Sequence, residues 1–170
     1  MSLDADDYVH QDIVGTALEI GAEFGCLATT GYALDLGNSR IAPVPGAWSV
    51  DLDRVCGSTA IIRYDREDIP LVFGEKGVFD CRQHHTYARS RHDEHMRPLR
   101  IIPFPSVIYV LNTGENHSLV TRVGTDGILE NVRRHAITSQ QTLEEIDDAF
   151  GTALAAAHQV LNTKTPSEVG

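Results

Sequence analysis

Near the N-terminus, apolar positions recur with the period of a helix. Val9, Ile13, Ala17 and Ile20 fall three and four residues apart, and Val14 with Leu18 widens the stripe. This spacing predicts an amphipathic helix over residues 5–23. Asp4, Asp6 and Asp7 suit its positive end, and Gly21 and Gly25 suggest where it stops.

The pattern then shortens. Residues 26–36 and 41–44 read as extended and are separated by Gly37-Asn38-Ser39, a hairpin candidate. Pro43 and Pro45 disfavour a central strand here, so an edge or a loop is expected. Residues 46–57, with the only Trp at Trp48, read as irregular or as a short helical turn. Residues 59–64, 69–73 and 78–87 are β-rich, and their connections are too short to cross a sheet, which predicts an antiparallel meander. Ser90 and Asp93 fit a capping pattern for at most two helical turns before Pro98. After Pro103 and Pro105, residues 107–111 and 119–123 form another hairpin candidate. Residues 128–132 are expected as a third strand after a turn at 124–127.

The clearest helix is C-terminal. Leu143, Ile146, Phe150, Ala153, Leu154, Ala157 and Leu161 hold the helical period for five turns. Thr142 with Glu145, or Thr138 with Gln141, offers a capping box at its start. Residues 163–170 have little to bury and are expected to fray. The fold class that follows is α+β: a mainly antiparallel sheet of about six to eight strands packed against N- and C-terminal helices.

Length and composition narrow this further. A chain of 170 residues can bury roughly 70% of its unfolded surface, so residues 1–170 are expected to form one globular domain needing neither disulfides nor a structural metal. Hydrophobic residues at 42% and charged residues at 22% fit a globular chain rather than a disordered one. No stretch approaches the length of a membrane span. With 14 basic against 24 acidic residues the net charge is -10, which opposes binding to nucleic acid or an anionic membrane. Three cysteines without a C-x-x-C suit a reducing compartment. The first residues carry Asp and no basic region, unlike a secretory signal. The cytoplasm is the expected location.

One segment carries candidate chemistry. His84, His85, His92 and His95 lie close together, with Cys81 three residues before the first. Imidazole and thiolate ligate zinc or another divalent transition metal, and three protein ligands with an open fourth position would make such a site catalytic. On a helical turn His92 and His95 share a face, and Glu94 could serve as base. The strand half is harder to use. Cys81 and His85 would stand about 13 Å apart in an extended segment, and His84 and His85 would point to opposite faces. The spacing also differs from a paired zinc motif and from H-E-x-x-H.

The same segment concentrates Arg82, Arg89, Arg91, Arg97 and Arg100 in an acidic chain whose only lysines are Lys76 and Lys164. Clustered guanidiniums can clamp a phosphate or carboxylate, or simply pair with the acidic surface. Elsewhere the motifs fail. The glycines form no phosphate loop, no calcium loop is present, and aromatics are too few for a single-strand stacking platform. Cys26 and Cys56 are expected to be core residues, and Asp51 and Asp53 to face water.

The sequence thus favours a cytoplasmic, sensor-like domain that binds a small molecule, an anionic one among the candidates, through Arg82, Arg89, Arg91 and Arg97. The enzyme-class alternative is a metal-dependent hydrolase or lyase with His84, His85, His92 and His95 as ligands and Glu94 as catalytic base. The third is a homodimer or other assembly without a ligand, built on close packing around the Ala-rich residues 153–157.

Overall fold

The structure, a computed structural model, describes residues 7–20, 25–56, 58–62, 99–111 and 125–163. Their order is β1 (Tyr8–Val9), α1 (Ile13–Glu19), β2 (Gly25–Leu27), β3 (Gly31–Asp35), β4 (Arg40–Val44), β5 (Ala60–Ile62), β6 (Arg100–Ile101), β7 (Val107–Leu111), α2 (Thr125–Arg134), α3 (Gln140–Phe150) and α4 (Leu154–Thr163). Among the described residues seven strands form two sheets, one of order β1-β7-β3-β4 and a smaller one of order β5-β2-β6. The α+β class and the strand number follow the sequence reading. Three of the pairings are antiparallel, while β3·β7 and β2·β6 are parallel.

The four-stranded sheet separates two apolar layers, and the two-residue period of its strands sorts the side chains. Leu34, Ile41, Ile108 and Val110 lie on one face with Leu143, Ile146, Phe150, Leu154 and Ala155 of α3 and α4. Their sequence neighbours Ala33, Ala42, Val107, Tyr109 and Leu111 lie in the first core layer, with Ile13, Cys26, Leu52, Cys56 and Val132; the α3 and α4 side is the second core layer. Strand β4 is an edge, as Pro43 and Pro45 require. The β3–β4 hairpin runs from Gly31↔Val44 to Asp35↔Arg40, closed by a 3-10 turn at Leu36–Asn38 with Ser39 in the left-handed region at φ 49°.

Four expectations need correction. The first concerns the N-terminal helix, which covers only Ile13–Glu19 among the described residues. Tyr8 and Val9 instead pair with Ile108 and Val107 as an edge strand. Asp7, 8% exposed, accepts the Val110 N–H at 2.9 Å.

Second, the extended stretch 26–36 is two strands in two sheets. Between them Ala28 N–H donates to Thr59 O (2.8 Å), while Thr29 O accepts from Leu52 and Thr30 O from Ser106. These three bonds hold the backbone where the chain crosses from one sheet to the other.

Third, residues 128–132, expected as a strand, lie inside α2. Leu129 and Val132 stand at helical spacing and pack into the first layer. Arg133 Nε reaches the fully buried carboxylate of Asp35 at 3.0 Å, where Asn38 Nδ2 also donates at 2.8 Å.

Fourth, the C-terminal helix is two helices. Gly151 adopts φ 67° and ψ 35° and ends α3, a conformation that glycine reaches without a Cβ penalty. Asp147 then turns its carboxylate to the start of α4, accepting from Thr152 Oγ1 (2.5 Å), Leu154 N–H (2.7 Å) and Ala155 N–H (2.8 Å). Neither expected capping box forms. Ser139 caps α3 and accepts the Thr142 N–H at 3.3 Å. Asp147→Ala strips the first turn of α4 of this cap and is expected to cost about 2 kcal/mol. Urea unfolding should register this as a lower midpoint at unchanged slope.

The expected strands at 69–73, 78–87 and 119–123, the helical turn after Ser90 and most of the C-terminal tail lie outside the described residues. Among those described, no helix is long and apolar enough to cross a membrane.

Candidate functional site

The residues that pointed to metal or anion chemistry are not among those described. Cys81, Arg82, His84, His85, Arg89, Arg91, His92, Glu94, His95 and Arg97 all fall in the segment 63–98. Arg100 is described, and it is an exposed residue of β6. Among the described residues no group of three or more His, Cys, Asp or Glu is placed to hold a metal ion.

The other singled-out residues are placed. Cys26 is buried in β2, where burial pushes its thiol pKa up and leaves it a poor nucleophile. Cys56 is 1% exposed and Ser58 fully buried, and both donate to Asp7 Oδ2, at 3.3 Å and 2.6 Å. The acid that a nucleophile at Cys56 or Ser58 would need is therefore present. Burial of all three groups, however, closes the constellation to a substrate, so it ties the N-terminal strand to the loop before β5. Asp53, expected to face water, is fully buried. In the Ala-rich segment, Ala155 packs against the chain's own second core layer.

An open cleft of about 150 Å³ lies where α3 meets the sheet and the loops at its edge. Three elements build it. On α3, Thr142, Glu145 and Ala149 repeat at three and four residues, one row beside the buried Leu143, Ile146 and Phe150. On β3, Tyr32 lies on the α3 side of the sheet with Leu34. The loop into β7 supplies Phe104, held between Pro103 and Pro105, whose rings fix the backbone around it.

His10 completes the lining. Its backbone N–H donates to Ser106 O at 3.0 Å, and the next residue, Gln11, donates to Ala149 O at 3.0 Å. The second bond satisfies a carbonyl in the last turn of α3, where helical partners run out. These two bonds seat the imidazole between two rings, 4.7 Å from Phe104 and 5.3 Å from Phe150. Phe150 also meets Tyr32 edge-on at 6.0 Å, an arrangement that aromatic pairs favour. His10 Nδ1 accepts the backbone N–H of Asp12 at 3.1 Å, which leaves the ring proton of the neutral imidazole on Nε2.

The electrostatics are one-sided. Glu145 is exposed and is the single acidic residue among the described residues lining the cleft, steadied by Gln141 Nε2 at 3.1 Å. Burial, and then the negative charge of Glu145, raise the Tyr32 phenol above its ordinary pKa. The phenol therefore stays protonated at neutral pH and is available as a donor.

Sequence reasoning did not find this cleft. Its residues come from four separate stretches of chain, and Phe150 had already been assigned to a helix core. The local signal present was Phe104 between two prolines, a large ring on a stiffened loop.

The chain matches no known protein-family model, no curated protein and no solved structure.

Proposed function

We propose that the protein is a cytoplasmic, single-domain binder of a small molecule, and that the cleft between His10, Phe104 and α3 receives a benzene-sized part of it. One observation carries this reading: four rings from separate chain segments converge with one carboxylate around about 150 Å³ of open space. Cavities of roughly this volume hold a ligand of about benzene's size. Apolar walls with a few placed polar groups are the usual composition of ligand sites. Here Glu145, Thr142 and the Tyr32 hydroxyl are those groups.

Thermal-shift measurements with toluene, phenol, benzylammonium and benzoate test the reading, because a ligand that binds only the folded state raises the melting temperature. At least one compound is expected to stabilise the natural protein. The effect should disappear in Ala149→Leu, which extends a side chain into the cleft from a position where leucine is a good helix former. Equal stabilisation of both proteins, or of neither by any compound, would overturn the proposal.

A second reading concerns the arginine-rich segment. Four guanidiniums, at Arg82, Arg89, Arg91 and Arg97, suit a phosphate or carboxylate on a small ligand, and their concentration in a chain of net charge -10 supports it. Stabilisation by inorganic phosphate or pyrophosphate, lost in Arg89→Ala/Arg91→Ala, is its test. The metal-dependent hydrolase or lyase alternative rests on His84, His85, His92 and His95 with Glu94. It would require near-stoichiometric metal in protein purified without chelator, lost in His92→Ala/His95→Ala.

A further inference from the structure

We infer that the group received by the aromatic cleft is a cation, specifically an alkylated ammonium; this rests on the ligand-binding reading and adds the chemical class of the ligand. The rings around the cleft are inclined to one another, at 52° between His10 and Phe104, 79° between His10 and Phe150, and 83° between Tyr32 and Phe150. The four rings touch in series, Phe104 on His10, His10 on Phe150 and Phe150 on Tyr32, and all four line the cleft. An aromatic face carries negative quadrupolar potential, so Tyr and Phe rings attract a cation placed within about 6 Å.

The charged groups have the same preference. Among the described residues lining the cleft there is neither Lys nor Arg, and Glu145 contributes a carboxylate. The His10 Nδ1 lone pair is occupied by the Asp12 N–H, with the Asp12 carboxylate 4.0 Å from the same nitrogen. An anion entering here would meet the Glu145 carboxylate with no Lys or Arg among the described lining residues to offset it. A positively charged ligand meets a counter-ion and aromatic walls, and the net charge of -10 raises its concentration near the surface. Alkylation matters because a methylated ammonium is weakly hydrated and matches walls that offer few hydrogen-bond acceptors. The volume of about 150 Å³ suits a head of this size.

Calorimetric titration of the full chain with choline and with 3,3-dimethylbutan-1-ol isolates the charge, since the two differ by nitrogen in place of carbon. Choline is expected to bind about tenfold tighter than the alcohol. Glu145→Gln should weaken choline about fivefold and the alcohol less than twofold. Phe104→Leu, which keeps an apolar side chain but removes the ring, should again weaken choline more than the alcohol. Melting curves check that both variants remain folded. Equal or tighter binding of the alcohol would overturn the cationic assignment while leaving the cleft a binding site. Failure of both compounds, together with no stabilisation by the aromatic panel, would overturn the cleft itself.

Discussion

Asp7→Ala lowers the stability of the folded chain by about 3 kcal/mol. The expectation comes from counting the groups that would lose an acceptor. Ser58 Oγ at 2.6 Å and the Val110 N–H at 2.9 Å both donate to this carboxylate, and the Cys56 thiol lies at 3.3 Å. Ser58 is fully shielded from water, as is Val110 but for 1%. Alanine removes the acceptor of all three of these bonds at once, and losing a buried hydrogen-bond partner costs about 1–3 kcal/mol. Asp7→Asn keeps a carbonyl oxygen for one donor and should lose less than half as much. In Asp7→Ala/Ser58→Ala the donor is removed together with its acceptor, so the double variant should be more stable than the sum of the two single losses implies. Urea unfolding of these three variants, of Ser58→Ala and of the natural protein measures all of this. A loss under about 0.5 kcal/mol in Asp7→Ala would mean that the carboxylate does not anchor the N-terminal strand.

Gly31→Ala is expected to cost about 3 kcal/mol or to prevent folding, for a steric reason. A Cβ at this position would stand 2.2 Å from the Val107 carbonyl oxygen and 2.6 Å from Leu52 Cδ2. Leu52 could rotate away. The carbonyl belongs to the backbone of β7, the central partner of β3, so relief requires the two strands to move apart. Overpacking a well-filled core usually costs about 1–3 kcal/mol, and a backbone obstacle lies at the upper end. Gly15 in α1 supplies the contrast, because a Cβ there meets nothing within 4 Å. Gly15→Ala should therefore stabilise the protein by about 0.5–1 kcal/mol through the helix propensity of alanine. Thermal unfolding of both variants separates close packing from backbone propensity. A Gly31→Ala protein as stable as the parent would contradict the packing of β3 on β7.

What could be read from the sequence was set by local periodicity. The β3–β4 hairpin, strand β7, the helical character of residues 143–161 and the edge position of Pro43 were legible because neighbouring residues alone determine them. The errors arose where distant partners decide. The apolar stripe from Val9 to Ile20 fits one helix, yet pairing with β7 and the buried Asp7 carboxylate pull Tyr8 and Val9 into a strand. Ile128 to Val132 contains β-branched residues, but burial of Leu129 and Val132, with Arg133 on Asp35, selects a helix. The break at Gly151 escaped notice because α3 and α4 both bury apolar residues in the same layer, which preserves the apparent period across the turn.

The candidate site was less legible than the fold. The histidine and arginine cluster at residues 81–100 drew attention through composition, whereas the cleft is assembled by topology. Gln11 bonded to Ala149 and His10 to Ser106 bring the N-terminal turn beside α3 and the Phe104 loop. No spacing in the chain announces that meeting. Its rings also serve the fold, since Phe150 belongs to the second core layer while lining the cleft. Phe150 substitutions would therefore mix stability with binding. Phe104, Glu145 and Ala149 are the better reporters.

The ligand site we propose is this cleft. Chemical-shift mapping of the isotopically labelled chain during titration with benzylammonium tests it most directly. The largest, saturable shifts are expected at the amides of His10, Tyr32, Phe104, Ala149 and Phe150, and the same titration of Ala149→Leu should leave them unmoved. Small shifts scattered over the surface, or saturable shifts confined to residues 81–100, would contradict it.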